Sequence, residues 1–285
     1  MTNIEIKTHS IMDSLNNSEK KVATYFLNNI ENIFSIPIAR LAEESGVSQV
    51  TWIRFCKAIG YDGLKDLKKS LFIELNNSTT DTPDTLDFSD IRKDSTLEEM
   101  CNTIKNAAIQ AVDDTIKLID PETFTKIVDI IAKANTIRIF GVGASAQVAD
   151  DLFKKLMRIN KNTTFSYDLH TQLAYAANAG PKDVAIIFSY SGATKEMLEI
   201  LSLTQKANCP TIAITKYTKS PLMASADYAI YLSAPEINHR SGAMSSRIAQ
   251  LTIVDLLFTS LANKNYSKVE KYLEKSSEIC RSHRV

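Results

Sequence analysis

The chain has 285 residues, which is long for one compact domain and comfortable for two. Its 44% of apolar and 23% of charged residues are close to the average of soluble globular proteins, so each half can bury a core. Lys plus Arg and Asp plus Glu both number 33. This zero net charge counts against a nonspecific nucleic-acid binder but allows a small basic face on one domain.

The cysteines and the N-terminus exclude other classes of protein. Cys56, Cys101, Cys209 and Cys280 form no CxxC pair and have no His at metal-ligand spacing, so we expect reduced thiols, no metal site and no cofactor. The first residues lack the basic and apolar regions of a signal peptide, and the apolar runs are much shorter than the ~20 residues of a membrane span. We therefore expect a soluble, cytoplasmic protein without membrane contact.

The chain divides at a polar, acidic stretch. Residues 10–75 carry apolar side chains at helical spacing, and Ser18 is the expected N-cap of one helix. Residues 76–95 contain few apolar side chains and several Asp, which is typical of a solvated boundary. We predict a helical domain over residues 1–77, a linker over 78–95 and a second domain over 96–285.

Residues 38–55 have the spacing of a helix-turn-helix. Leu41 and Ala42 would lie on the inner face of the first helix, and Gly46 can adopt the positive φ that the turn needs. Ser48 is a good N-cap for the second helix, whose first residues a helix-turn-helix presents to base edges in the major groove. The alternative is an ordinary helical hairpin with a solvated basic face. The residues predicted to contact DNA are Ser48, Gln49, Val50, Thr51, Arg54 and Lys57.

Neighbouring residues extend this pattern. They are Leu41-Ala42, Val47-Ser48, Thr51, Arg54-Phe55-Cys56-Lys57, Ile59-Gly60-Tyr61, Gly63-Leu64 and Leu67-Lys68. With them, the segment resembles the RpiR (MurR/RpiR) family of bacterial regulators, which implies DNA binding. Trp52 departs from the family pattern of Ile or Val. Because Trp is apolar, we expect it to keep the core position, while its bulk bears on the pitch of the recognition helix.

The second domain starts with helices and continues as alternating strands and helices. An apolar stripe runs over residues 97–116, and Asp120 is the expected N-cap of a helix through Ala132. The β-rich runs that follow are Ile137–Val142, Thr163–Tyr167, Val184–Phe188, Thr211–Thr215 and Tyr228–Leu232, with helical segments near 146–159, 171–178, 194–207, 245–262 and 266–281. This alternation predicts a doubly wound α/β domain with a five-stranded parallel sheet. If the sheet is flavodoxin-like, its strand order is 2-1-3-4-5.

Two turns from strand to helix are rich in glycine and hydroxyl groups. Strand 1 ends in Gly141-Val142-Gly143-Ala144-Ser145, and strand 3 runs into Ser189-Tyr190-Ser191-Gly192-Ala193-Thr194. Hydroxyls and backbone N–H groups at a helix start suit an anion, and the predicted strand order places both turns at one crevice. The alternative is helix capping with nothing bound. The predicted ligand residues of these turns are Gly143, Ser145, Ser189, Ser191, Gly192 and Thr194.

Residues 136–232, with Ser-x-Ser-Gly-x-Thr at 189–194, resemble a SIS (sugar isomerase) domain. The resemblance implies a bound phosphosugar, whose phosphate the serines and Thr194 would hold and whose sugar Glu236 would reach. An isomerase is the alternative, with Glu236, His239 and His170 as acid–base candidates. An appended helix-turn-helix has no use in such an enzyme, so we expect a sensor without catalytic residues. A third hypothesis is a phosphosugar-binding module that does not bind DNA.

Together these features predict a DNA-binding transcriptional regulator of sugar catabolism genes, amino-sugar genes among the candidates, controlled by a phosphosugar effector. One helix-turn-helix reads only a short half-site, so we expect a homo-oligomer, dimer or tetramer, on a palindromic operator. The helix over 245–262 and the stripe over 97–116 are the candidates for burial between subunits.

Overall fold

The computed structural model describes residues 2–30, 32–33, 36–77, 95–234 and 243–281. By internal contacts the chain forms two compact units, residues 1–87 with 217–219 and residues 88–216 with 220–285. Residues 78–94 of the predicted linker lie outside the described residues. Within the described ranges, no helix is both long enough and apolar enough to cross a membrane.

The described part of the first unit is helical. Its helices are α1 (Asn3–Ile11), α2 (Asn17–Asn28), α3 (Ile38–Glu44), α4 (Gln49–Ala58) and α5 (Leu64–Asn77), with a 3-10 turn at Met12–Ser14. α1 begins before the predicted helical segment because Thr2 and Glu5 form a capping box. The expectation that Ser18 caps α2 is wrong. The Asn16 carboxamide oxygen caps it instead, accepting hydrogen bonds from the N–H groups of Ser18 and Glu19 at 3.0 and 2.9 Å.

Aromatic side chains fill the core of the first unit. Phe26, Trp52 and Phe55 are fully buried, and the ring centroids of Phe26 and Phe55 lie 5.7 Å apart. Trp52 packs edge-on against Phe55, and its indole Nε1 donates a hydrogen bond to Ser45 Oγ at 2.9 Å. Trp52 therefore occupies the core position that we expected, with its polar atom satisfied.

The second unit is built on a five-stranded parallel sheet. Its strands are β1 (Ile137–Gly141), β2 (Thr163–Thr164), β3 (Val184–Phe188), β4 (Thr211–Lys216) and β5 (Tyr228–Leu232), in the order β2-β1-β3-β4-β5. The predicted architecture and strand order are confirmed. β2 is shorter than predicted, since only Thr163 and Thr164 pair with β1. Phe165 and Tyr167, which follow the strand, lie with ring centroids 5.0 Å apart.

Helices cover both faces of the sheet. One face is covered by α7 (Pro121–Lys133), α8 (Ala144–Arg158) and α12 (Met244–Lys264). The other face is covered by α9 (Leu169–Ala177), α10 (Lys195–Lys206) and α11 (Pro221–Ser225). Two more helices, α6 (Leu97–Lys117) and α13 (Tyr266–Arg281), pack against α12. Successive side chains of β3 point to opposite faces of the sheet. Val184 and Ile186 belong to the core on the first face, and Ala185 and Ile187 to the core on the second. The sheet is therefore buried on both sides.

The two helices considered for subunit contacts differ in burial. α12 buries Ile253 and Leu257 in the core of its own chain, so part of the apolar surface of residues 245–262 is used within the chain. A subunit contact through this helix stays a prediction. On α6, Ala111 faces α12 and is buried, whereas Leu97 and Ile104 of the predicted stripe are 77% and 56% exposed. Of these two helices, α6 is the one with large apolar side chains exposed in the described part of the chain.

Candidate functional site

Two loops start side by side at the carboxyl edge of the sheet. Gly141, the last residue of β1, pairs with Phe188, the last residue of β3. The helices that follow these strands, α8 and α10, pack on opposite faces. This is the topological switch point of a doubly wound sheet, the place where such folds bind their ligands. Residues 142–145 and 189–194 therefore flank one crevice.

The loop after β3 gathers three hydroxyl groups. Ser189 Oγ donates to Thr194 Oγ1 at 3.1 Å, and the Ser191 and Thr194 hydroxyl oxygens lie 3.5 Å apart. Ser189 is buried, while Ser191 and Thr194 are partly exposed. A hydroxyl can rotate its proton toward a new acceptor at little cost, so three of them in contact can turn toward a single oxyanion.

Gly192 determines the shape of this loop. Its φ is +64°, its N–H donates to the Ser189 carbonyl at 3.1 Å, and its own carbonyl accepts from the Leu222 N–H at 3.0 Å. A Cβ at this position would lie 2.2 Å from Ser220 Oγ and 2.9 Å from Thr215 Oγ1. Glycine is therefore required twice, by the backbone conformation and by the close approach of the neighbouring loop.

The helices that leave the two loops have no side-chain caps. Gly143 is the N-cap residue of α8, with φ +57° and ψ −132°. Thr194 is the N-cap residue of α10, yet its side chain makes no capping bond. The alternative that Ser191 or Thr194 caps α10 is wrong, because the Thr194 hydroxyl bonds to Ser189 and Ser191 Oγ accepts from the Ala193 N–H, before the helix begins. The first backbone N–H groups and the positive dipole ends of both helices therefore face the crevice without a capping side chain.

A buried glutamine, which the sequence analysis did not single out, holds the end of β1. Gln172 Oε1 accepts from the Gly141 N–H at 3.1 Å, and its Nε2 donates to the carbonyls of Gly141 and Ser166, both at 2.9 Å. Gln172 is fully buried on α9. Its carboxamide continues the hydrogen bonding of β1 where the strand ladder stops, and so fixes the point from which loop 142–145 departs.

Two of the three candidate acid–base residues lie outside the part of the chain that the structure describes. Glu236 and His239 lie outside the described residues, and His170 is exposed in the first turn of α9.

In the described ranges, no three His, Cys, Asp or Glu side chains come together as a metal site would require. Burial raises the pKa of the Cys56 thiol to about 12 and that of Cys209 to about 11, so both stay protonated at neutral pH.

In the first unit, α4 presents one face to solvent. Gly46 adopts φ +65° in the turn between α3 and α4. Ser48 caps α4, since its Oγ accepts from the Thr51 N–H at 3.2 Å. The helix-turn-helix geometry that the spacing predicted is therefore present. The predicted DNA contacts Ser48, Gln49, Val50, Arg54 and Lys57 are exposed, and Thr51 is partly exposed. Their contact with DNA stays a prediction.

Comparison with known proteins decides the family. A model described as "Helix-turn-helix domain, rpiR family" matches residues 2–78, and one described as "SIS domain" matches residues 130–260. An uncharacterized HTH-type transcriptional regulator of Caldanaerobacter subterraneus subsp. tengcongensis is 38% identical over 285 residues, 100% of this chain and 99% of the relative. The chain belongs to the RpiR family. It is an RpiR-type transcriptional regulator, a helix-turn-helix followed by a SIS domain.

Another relative and two solved structures are similar to this RpiR-type regulator. The uncharacterized HTH-type transcriptional regulator YbbH of Bacillus subtilis is 31% identical over 277 residues, 97% of this chain and 96% of the relative. The structure of the Vibrio vulnificus NanR protein complexed with ManNAc-6P is similar with a TM-score of 0.62 and 26% identity, covering 99% of each chain. The sugar isomerase domain of an RpiR transcription factor from Sphaerobacter thermophilus, 22% identical, covers 63% of this chain and 99% of that one with a TM-score of 0.56, and supports the fold alone.

Proposed function

We propose that this regulator binds a phosphorylated amino sugar between residues 142–145 and 189–194, and that the bound effector changes the affinity of α4 for operators of sugar catabolism genes. The observation that carries the proposal is the contact of the Ser189, Ser191 and Thr194 hydroxyls at the start of α10, a helix that no side chain caps. Such a place offers hydrogen-bond donors and a positive potential to an anion.

A phosphate monoester matches this arrangement. It carries nearly two negative charges at neutral pH and only accepts hydrogen bonds through its terminal oxygens, so hydroxyls and backbone N–H groups are its natural partners. The Ser191 and Thr194 hydroxyls and the first backbone N–H groups of α10, in the loop that Gly192 shapes, would hold it from one side. Gly143 and Ser145 would hold it from the other. Glu236, outside the described residues, is assigned to the sugar on the SIS resemblance.

The sugar is proposed from the relative with a bound ligand. NanR, 26% identical along nearly the whole chain, was solved with ManNAc-6P, an N-acetylated amino-sugar phosphate. An amino-sugar phosphate is therefore the first class to test. The SIS domain also occurs in isomerases, but a helix-turn-helix regulator needs only binding, so we propose that the chain does not convert its ligand. Incubation in D2O should then leave the C2 proton of the phosphosugar unexchanged by NMR.

DNA binding is proposed for the exposed face of α4. Gln49, Thr51 and Arg54 can hydrogen-bond base edges, Val50 can contact a thymine methyl, and Lys57 can neutralise a backbone phosphate. A single helix reads a short half-site, so a homo-oligomer on a palindromic operator is part of the proposal, with the exposed stripe of α6 as a subunit contact. The site of action is the bacterial cytoplasm, where the DNA is.

Thermal unfolding of the full-length protein against hexose, amino-sugar and pentose phosphates tests the effector site. A ligand at 100 times its Kd stabilises the folded protein by about 2.7 kcal/mol, whereas the parent sugar should give no shift. Ser191→Ala should weaken binding roughly 10- to 100-fold by removing one charge-assisted hydrogen bond. Ser202→Ala, the same change on the exposed face of α10, is the matched control and should bind normally. Equal binding by both variants would refute the phosphate site.

A further inference from the structure

A polar side chain from late in the chain reaches the loop after β1. Gln250 lies on α12, 105 residues after Ser145, and its Nε2 donates a hydrogen bond to Ser145 Oγ at 3.1 Å. Gln250 is 2% exposed, and Ser145 is partly buried in the first turn of α8. The bond therefore connects the crevice between the two loops to α12, a helix outside both of them.

Gln250 lies on α12 beside core residues, although Ser246, one turn before it, is a buried polar residue. Ala249, Ile253 and Val254 belong to the hydrophobic core of the unit. A carboxamide among them costs stability unless its polar atoms are hydrogen-bonded, whereas Met or Leu would fill a similar volume without that cost. A requirement of packing alone thus does not account for glutamine here, and its bond to the Ser145 hydroxyl does.

The direction of this hydrogen bond matters for an anion. A serine hydroxyl has one proton to donate and two lone pairs that accept. Because the Gln250 N–H occupies a lone pair of Ser145, the serine proton stays available for another acceptor. Accepting one hydrogen bond also polarises the hydroxyl and strengthens the bond that it donates. A phosphate oxygen, which only accepts, requires the serine in this donating state.

We infer that Gln250 is a positioning residue of the effector site, which keeps the Ser145 proton directed at the phosphate. The inference rests on the proposed function, since it concerns how that same crevice takes its ligand. The inference adds α12 to the site, because the loops after β1 and β3 would then depend on a hydrogen-bond donor from late in the domain to orient Ser145.

Calorimetric titration of the full-length protein tests the inference, with N-acetylmannosamine 6-phosphate first and the other hexose and amino-sugar 6-phosphates after it. Gln250→Met keeps the volume and removes the donor, so Kd should rise roughly 3- to 10-fold, the loss of one hydrogen bond. Gln250→Glu should weaken binding further, because a carboxylate accepts a hydrogen bond from the Ser145 hydroxyl, which then no longer donates to the phosphate. The carboxylate also repels the phosphate. Thr204→Val is the matched control, a buried polar-to-apolar change within α10, and should leave Kd unchanged.

A double-mutant cycle separates positioning from packing. If Gln250 acts through the hydroxyl, Gln250→Met should have no further effect on Kd in a Ser145→Ala background. The 31P resonance of the bound phosphosugar should move in Gln250→Met and stay in place in Thr204→Val. Gln250→Leu replaces the Met variant if circular dichroism shows that the latter is unfolded.

The outcomes distinguish the two proposals. Wild-type binding that Ser191→Ala abolishes and the Gln250 variants leave intact would overturn the role of Gln250 and keep the effector site. Additive effects of Ser145→Ala and Gln250→Met would also overturn it, since glutamine would then act by packing. Failure of the wild type to bind any phosphosugar of the panel would refute the proposed function and this inference with it.

Discussion

Replacement of Gly192 by alanine should damage the effector site and the stability of the second unit together. The residue has φ +64°, and an added Cβ would lie 2.2 Å from Ser220 Oγ and 2.6 Å from Ser220 Cβ. Contacts shorter than 3 Å do not persist, so either the loop over 189–194 or the start of α11 has to move. The Ser220 side chain cannot simply rotate away, because its Cβ clashes as well and its Oγ caps α11 by accepting from the Met223 N–H at 3.3 Å.

The size of the effect follows from two terms. A left-handed backbone conformation costs alanine about 1–2 kcal/mol relative to glycine, and overpacking of a close contact typically costs about 1–3 kcal/mol. We therefore expect the free energy of unfolding to fall by about 2–5 kcal/mol. For a domain of this size, each kcal/mol lowers Tm by about 2–4 °C, so the decrease should be about 4–20 °C.

Calorimetry of the full-length protein and titration with the phosphosugar measure the two effects. Gly180→Ala is the matched control, because a Cβ there meets nothing within 4 Å and the backbone is not in the left-handed region. Adding Ser220→Gly to Gly192→Ala should recover part of the lost stability, since it removes both short Ser220 contacts while glycine still serves as an N-cap. If Gly192→Ala were no worse than Gly180→Ala, or if Ser220→Gly gave no recovery, the steric argument would be refuted.

Three further changes test other parts of the structure. Arg138→Met should lower the free energy of unfolding by about 3 kcal/mol in urea titrations, because it leaves the Asp183 carboxylate without its ion-pair partner. The carboxylate lies 2.9 Å from the guanidinium, and both side chains are nearly buried. Thr115→Val should cost about 2–3 kcal/mol in the same assay and Thr115→Ser much less, because the threonine hydroxyl bonds both the Ser233 carbonyl and N–H at 3.1 and 3.3 Å. Arg54→Ala should weaken operator binding roughly tenfold in a mobility-shift titration and leave the phosphosugar Kd unchanged.

The parts of the fold that depend on local pattern could be predicted from the sequence. The alternation of apolar strands and amphipathic helices predicts βαβ units and hence a parallel sheet. The strand order follows from the flavodoxin-like type of doubly wound sheet, not from the alternation itself. The helix-turn-helix was equally local, since Gly46 makes the turn and Ser48 caps the next helix within three residues. The loop over 189–194 was identified because its hydroxyls and glycine are contiguous.

The polar contacts behind the site could not be predicted. Gln172 and Gln250 bond to residues 31 and 105 positions away, and Thr115 bonds to Ser233 across 118 positions. Each lies in a helix that also carries other polar side chains, so no periodic pattern marks it out. Its partner is decided only when the helices pack, and a sequence pattern contains no information on that pairing until the fold is known.

Helix caps show where sequence reasoning needs the structure to choose. Asn16 and Ser18 are both good N-cap residues, and Asn16 wins because Glu19, three positions after it, completes a capping box. Thr194 also stands at an N-cap position, but its hydroxyl stays within the loop, bonded to Ser189. Because the Thr194 side chain makes no capping bond, the first backbone N–H groups of α10 have no side-chain acceptor at the helix start. At the switch point of a doubly wound sheet, this is the arrangement expected where an external anion completes the helix terminus.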